Sequence, residues 1–333
     1  MYAELTPFLV GLGGAALAVT AWLAVAGPMT RRLALRQINR RRGEAALVVA
    51  GSVLGTAIIV GSLIVGDTLD FSVKQNAYQY LGVVDEVVSS PDPAQGERAA
   101  RRLEALRGDP DVDGLLTVRR HGAAVARDGR PGQAGAEPTG EPRATVLELD
   151  FAAAARFEGP GSGLAGPAPG PGRVVVNDEL AGALGAGAGD RLTFHLYGQE
   201  VELEVARVVP TRGLAGFGGP GAFVDPGTVG RATGTGPGRA GPETLTLVSN
   251  TGGVEEGGAA TDRVKGRLQA ALGPLTATGT AVETPKQEVL QEADDAGGSL
   301  GSLFLFIGSF AIIAGVLLLV NVFVMLAEER KGE

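Results

Sequence analysis

The chain has 333 residues, 44% of them hydrophobic, no cysteine, and a formal net charge of −8 at pH 7. The missing cysteines exclude a disulfide framework and a thiolate metal site, and the acidic balance argues against a polyanion, so no nucleic-acid partner is expected. Arginine outnumbers lysine 25 to 4, a bias toward Arg, Ala, Gly and Pro that adds no nucleic-acid signal.

The first element in chain order is an uncharged run, Pro7–Pro28, long enough to cross a bilayer as a helix, which takes roughly 20 residues. Ala24-Val25-Ala26 before Gly27 has the look of a leader-cleavage site. The positive charge, however, follows the apolar core, and Glu4 is the only charged side chain ahead of it, which favours a retained helix over 1–28. Residues 29–44 follow as a basic amphipathic segment. Within it Arg31, Arg32, Arg36, Arg40, Arg41 and Arg42 come before the first acid, Glu44, so this segment is expected in the cytoplasm, beside membrane lipid.

The second uncharged run, Ala45–Gly66, is the next expected span. It carries Gly51 and Gly55 at GxxxG spacing, with Ala57 and Gly61 repeating the small-residue step. Such pairs let helix backbones approach closely, although an Ala- and Gly-rich chain also produces them by chance. A third run, Leu300–Ala327, adds Ala311 and Gly315 and carries Asn321 deep within it. A lone amide in hydrocarbon calls for an interhelical partner. The last residues, 328–333, are charged again.

Residues 67–299, with 21 basic and 32 acidic side chains, carry no positive-inside signal and are expected outside the cytoplasm. In DRLTFHLYGQEVELEVARVV, Leu192, Phe194 and Leu196 alternate with polar residues, as do Val201, Leu203 and Val205, which predicts an antiparallel hairpin with one buried face. His195 falls on the opposite face. RVVVNDELAGALGAGAGD predicts a short buried strand, Val174–Val176, an Asn177 cap and a helix over Asp178–Leu184. Val83–Val88 and Ala144–Leu149 are further strand candidates, while Glu97–Leu106 and Asp262–Leu272 have helical spacing. The tracts Gly129–Pro142, Gly159–Gly172 and Gly227–Pro242 are expected to be loops. The fold class is therefore a membrane protein: three transmembrane α-helices, with an α+β extracytoplasmic domain inserted between the second and third.

Motifs for chemistry are weak. Gly297-Gly298-Ser299-Leu300-Gly301 matches G-x-S-x-G but has no strand before it and no His after it. Gly161–Gly166 matches G-x-G-x-x-G but lies in a Pro-rich loop, and no P-loop motif is present. His121 and His195 are the only histidines, far apart in sequence, and Glu292, Asp294 and Asp295 suit a solvated helix face better than a cation site. No cofactor, metal or catalytic residue is expected.

The order of parts is more specific. RRLALRQINRRRGEAAL leads into VVAGSVLGTAIIVGSLIVGDTL. An outer α+β segment containing VVVNDELAGALGAGAGDRLTFHLYGQEVELEVARVV follows, and then a long run ending NVFVMLAEERKGE. From about residue 30 onward this resembles the front half of FtsX/MacB-type ABC transporter permeases, including their MacB-like periplasmic core domain. The resemblance implies a permease subunit that couples a separate cytoplasmic ABC ATPase to the outer domain. Its output would be export or release of a lipoprotein, peptide or drug, or regulation of an outer partner. Arg31, Arg32, Arg36, Arg40 and Arg41, with Glu328, Glu329 and Arg330, would meet the ATPase, although the arginines also suffice as a topology signal. Gly51, Gly55, Gly61, Gly315 and Asn321 would pack helices, within the chain or against a second permease copy or paralogue. Gly66–Asp70 and Ala296–Gly301 would be the two joints to the outer domain. On this resemblance residues 328–333 open a coupling segment and the chain is truncated, while the helix over 1–28 is an addition to the family pattern. The rival reading is a membrane-anchored extracytoplasmic binding or adaptor domain without transport.

Overall fold

In a computed structural model of the chain, the described residues are 42–127, 139–159, 163–234 and 241–298, with isolated helical positions at 18, 22, 303, 306, 307, 310, 317 and 324. Two compact units are distinguished, residues 68–297 and the remainder.

Of the remainder, the first part of a long helix, α1 (Arg42–Leu81), is described. It contains the whole uncharged stretch 45–66, and the described apolar side chains there, Val49, Val53, Val60, Ile64 and Val65, are exposed. In the third uncharged run Leu303, Phe306, Ile307, Phe310, Leu317 and Val324 are helical and exposed as well. Among the described residues no helix is long and apolar enough to cross a membrane. Part of the side chains of 45–66, and nearly all residues of the first and third runs, lie outside that description.

The unit 68–297 is an α+β domain built on nine strands. These are β1 (Glu86–Ser90), β2 (Val112–Arg127), β3 (Thr139–Glu148), β4 (Arg173–Asn177), β5 (Arg191–Leu196), β6 (Gln199–Val209), β7 (Gly221–Val224), β8 (Glu243–Asn250) and β9 (Ala281–Glu283). They run in the order β3-β7-β4-β6-β5-β2-β8-β1-β9, and β3 also pairs with β2. Six strands, β2 to β7, therefore close on themselves, and three more extend the sheet from β2.

The strand β2 belongs to both parts. One edge pairs with β3 from Arg119 to Arg127. The other pairs with β8 over Val112–Arg120 and then with β5 over Ala124–Ala126. The change of partner falls at residues 121–123, beside a register shift between Ala123 and Val125.

The expected hairpin is β5–β6, in register from Arg191 opposite Glu204 to Leu196 opposite Gln199. Its two-residue turn, Tyr197–Gly198, has positive φ at both positions (53° and 78°), as the right-handed twist of a tight hairpin requires. Phe194, Leu192 and Leu203 point into the closed ring with Leu180 and Leu184 of α4 (Asp178–Leu184). The Asn177 side chain caps α4 by accepting from the Leu180 N–H at 2.9 Å, as its position before the helix demands. His195 is exposed on the far face. The remaining helices are α2 (Pro93–Leu103), α3 (Phe151–Glu158), α5 (Thr228–Thr233), α6 (Thr261–Leu272) and α7 (285–298).

On the open sheet, α2 and α6 bury Leu103, Val264, Leu268 and Leu272 against Val88 and Val248. Gly96 permits that close approach, since a Cβ there would lie 2.3 Å from the Thr244 Cβ on β8. Three sequence expectations shift. Thr139–Pro142 belongs to β3 and Thr228–Thr233 forms α5, so neither expected loop is wholly irregular. The first strand starts at Glu86, because Leu81–Val84 make the turn that ends α1.

Truncating Phe194 to Ala should destabilise the full chain by about 3–5 kcal/mol, whereas His195→Ala on the exposed face should stay within about 0.5 kcal/mol. Thermal unfolding of both variants checks the assigned faces, and equal losses would reverse the assignment.

Candidate functional site

The domain is entered and left by two helices, α1 and α7, and their roots meet in one buried polar node. The helix α1 does not stop at Gly66–Asp70. It runs 11 residues further to Leu81, since 67–80 holds neither Gly nor Pro. It ends at Gly82, whose φ of +55° and N–H bond to the Tyr78 carbonyl (3.0 Å) close its last turn. A Cβ on Gly82 would lie 2.7 Å from the Gly213 Cα, so only glycine fits both the left-handed backbone and the close approach.

Three residues on, Asp85 and Glu86 are both fully buried. The other root is Lys286, buried in the first turn of α7, after Pro285 at the position where proline's missing N–H is no loss. Its Nζ donates to Asp85 Oδ1 at 2.8 Å and to the Val254 carbonyl at 3.2 Å. Asp85 Oδ2 accepts from the Asn250 backbone N–H at 2.9 Å. The Asn250 Nδ2 donates to Glu86 Oε1 at 2.7 Å and also reaches the Gly257 carbonyl (3.2 Å) and Thr261 Oγ1 (3.4 Å). Toward the surface, Lys74 of α1 and Asp294 of α7 pair at 2.7 Å. The two roots are thus joined twice, once in water and once out of it.

Two carboxylates face one ammonium in this node. Burial pushes the Asp85 carboxyl up, against the pull of Lys286 and the Asn250 N–H. It pushes Glu86 further, to about 7, with the neighbouring Asp85 charge adding to the rise and the Asn250 amide opposing it. Both Asp85 oxygens have donors, and only one Glu86 oxygen does. The charged form is therefore better supported on Asp85 than on Glu86.

A second buried network sits where β2 changes partner. His121 Nδ1 shares a hydrogen bond with the Tyr197 hydroxyl at 2.9 Å, and its Nε2 lies 3.7 Å from Glu148 Oε2. Glu148 Oε1 accepts from the Val229 N–H at 2.6 Å. Burial raises the Glu148 carboxyl, but His121 and the backbone donors of Val229 and Gly227 outweigh it and leave it below the usual range. Tyr197, the one non-glycine at positive φ among the described residues, is held in a left-handed turn that costs an ordinary residue roughly 1–2 kcal/mol. The network locks the hairpin tip to β2 and α5.

Of the residues singled out from sequence, Arg31, Arg32, Arg36, Arg40, Arg41, Glu328, Glu329, Arg330, Gly315 and Asn321 lie outside the described residues. Gly51, Gly55 and Gly61 are helical within α1, and a Cβ on Gly51 or Gly61 would meet nothing within 4 Å. Ala296, Gly297 and Gly298 continue α7 as helix. Residues 163–166 of the glycine motif make a turn with Leu164 buried, and open no helix. Glu292, Asp294 and Asp295 are exposed on α7. Among the described residues no group of three or more His, Asp or Glu side chains could hold a metal ion. Sequence reasoning missed Asp85, Glu86, Asn250 and Lys286. The signal available was a lone lysine at the start of an otherwise acidic helix.

No family model matches the chain, and no curated protein matches it. Two solved structures are similar to the chain at low identity. The periplasmic region of MacB from Actinobacillus actinomycetemcomitans is similar at 9% identity and a TM-score of 0.35, over 64% of this chain and 94% of that one. A domain assigned to a permease protein from Porphyromonas gingivalis is similar at 10% identity and a TM-score of 0.32, over 61% and 90%.

Removing one partner of the buried pair, in Lys286→Met, should destabilise the full chain by about 3–5 kcal/mol, and adding Asp85→Asn should recover much of that loss. Additive losses in the double-mutant cycle would mean that the two side chains do not interact. The two perturbed glutamates set opposite slopes. Glu86 binds its proton more tightly folded than unfolded, so stability should fall as pH rises from 4.5 toward 7, by up to about 3 kcal/mol. Glu148, with its folded value lowered, contributes stability above 4.5 that is lost as pH falls below it. Denaturation of the full chain against pH, with Glu86→Gln flattening only the upper slope and Glu148→Gln only the lower, checks both signs.

Proposed function

We propose that the chain is the permease part of an ABC transporter. A separate cytoplasmic ATPase would drive the helix pair, and the outer domain would pass that movement on to export or release a lipoprotein, peptide or drug, or to regulate an outer partner. The observation that carries the reading is the shared seat of α1 and α7. Their roots are fixed to one β-sheet through Lys286, Asp85 and the surface pair Lys74–Asp294, so the helices cannot slide independently without breaking a buried ion pair. A tether for a binding domain needs one flexible attachment, whereas a device that transmits force needs stiff ones, and a continuous 40-residue helix is stiff.

Three further points support the placement. The order of basic segment, apolar run, outer domain and second apolar run matches the permease pattern. The described apolar side chains of both runs are exposed at helical positions, where lipid would cover them. The cluster of arginines at 31–42 against the acidic outer segment sets the orientation, with 67–299 outside a multi-pass cell membrane. In this reading 1–28, 45–66 and 300–327 span, 29–44 and 328–333 face the ATPase, and Gly51, Gly55, Gly61, Gly315 and Asn321 pack against neighbouring helices or a second permease copy. ATP is hydrolysed on the partner, and this chain needs no cofactor.

Coexpression with a P-loop ATPase sought among the neighbouring genes is the test. The ATPase should copurify with wild type and be lost when Arg36, Arg40 and Arg41 are all changed to Ala, with membrane insertion unchanged. Retained binding would remove these arginines from the docking surface, and failure of any ATPase to copurify with wild type would favour the anchored adaptor.

A further inference from the structure

Within the node, two buried polar atoms have no hydrogen-bond partner among the described residues, Glu86 Oε2 and Asn250 Oδ1. They are the remaining oxygens of the same carboxyl and amide that already meet through Nδ2 and Oε1 at 2.7 Å. The orientation of the amide is set independently by the Gly257 carbonyl, which can only accept and lies 3.2 Å from Nδ2. Two acceptor oxygens left without donors, on groups already joined by one bond, lack one hydrogen. A carboxylic acid supplies it, because a protonated carboxyl and a primary amide each hold one donor and one acceptor and pair in a ring.

We propose that Glu86 carries a proton in the seated state, completing a cyclic acid–amide pair with Asn250, and that loss of this proton loosens the seat of α1 and α7. The inference does not depend on transport or on an ATPase. Charge balance points the same way. With Glu86 ionised the node holds two carboxylates against one ammonium, in a site closed to water, and an uncompensated buried charge is strongly disfavoured. With Glu86 protonated the node is neutral. The charged groups acting on Glu86 are Asp85, one residue before it, and Lys286 from α7, while β8 brings the Asn250 amide and α6 the Thr261 hydroxyl. Deprotonation would set Glu86 against Asp85, the residue that anchors Lys286, so the repulsion falls on the bond that holds α7. The proton comes from and returns to solvent when the node opens.

The chain has no native cysteine, so two introduced cysteines carry spin labels cleanly. Placed at the exposed positions Gln75 on α1 and Glu292 on α7, in the full chain in detergent, they report the separation of the two roots. A narrow distance distribution is expected at about pH 5.5 and its loss by about pH 8.5, half lost near pH 7, whereas Glu86→Gln, neutral at every pH, stays narrow throughout. Infrared difference spectra of wild type should show a protonated-carboxyl band at the lower pH that vanishes over the same range and is missing in Glu86→Gln. A band that Glu86→Gln leaves unchanged would overturn the protonation. A wild-type distance distribution unchanged across this range would overturn the latch. If Glu86→Gln fails to fold, the two wild-type titrations decide together: no band and no change of distance across the range would overturn the proposal.

Discussion

The ion pair between Lys286 and Asp85, 2.8 Å apart and closed to water, is the contact on which the rest of the domain depends. It joins the end of the chain's path through the domain to its beginning, across 201 residues of sequence. Such a pair contributes little net stability, because desolvating both ions offsets their attraction. What it supplies is exclusivity. An ammonium that has left water must find this carboxylate, so α7 has one seat beside α1 and no register in which it can slip by a turn.

The sheet makes that seat rigid. Asn250 ends β8, the strand of the three-stranded extension that pairs with β2, and its backbone N–H and side chain hold Asp85 and Glu86 together. The same extension is roofed by α2 and α6 over a continuous apolar layer. Through β2 it becomes part of the closed ring, where the His121, Tyr197 and Glu148 network fixes the hairpin tip. The helix roots are tied to β8 through the Asp85–Asn250 bond, and β8 pairs in turn with β2. The two networks also differ in their proton chemistry. In one, burial dominates and a carboxyl is raised. In the other, donors outweigh burial and a carboxylate is kept.

Features of short range were legible in the sequence. The β5–β6 hairpin, its buried face, the Asn177 cap and the helix over Asp178–Leu184 follow from alternation and capping within a few residues. The long strand β2 was not legible, because Arg119-Arg120-His121-Gly122 interrupts its alternation at the place where it changes partner. Nor was β8, whose Thr244 and Thr246 are buried between two neighbouring strands and so show no polar face. The end of α1 is not legible either, because the uncharged run stops at Gly66 while the helix continues through charged and polar residues to Leu81.

The amino-acid sequence by itself determined where the apolar runs lie, how charge is distributed around them, and that an acidic α+β segment sits between the second and third. These are properties of residues and their near neighbours, which water and lipid act on directly. Only the tertiary structure decided that Asp85, Glu86, Asn250 and Lys286 form one node, and that His121 meets Tyr197 and Glu148. Partnership between residues far apart in the chain depends on strand order and on which faces become buried. A buried charge acquires its meaning from the partner brought to it, and no local pattern encodes that partner.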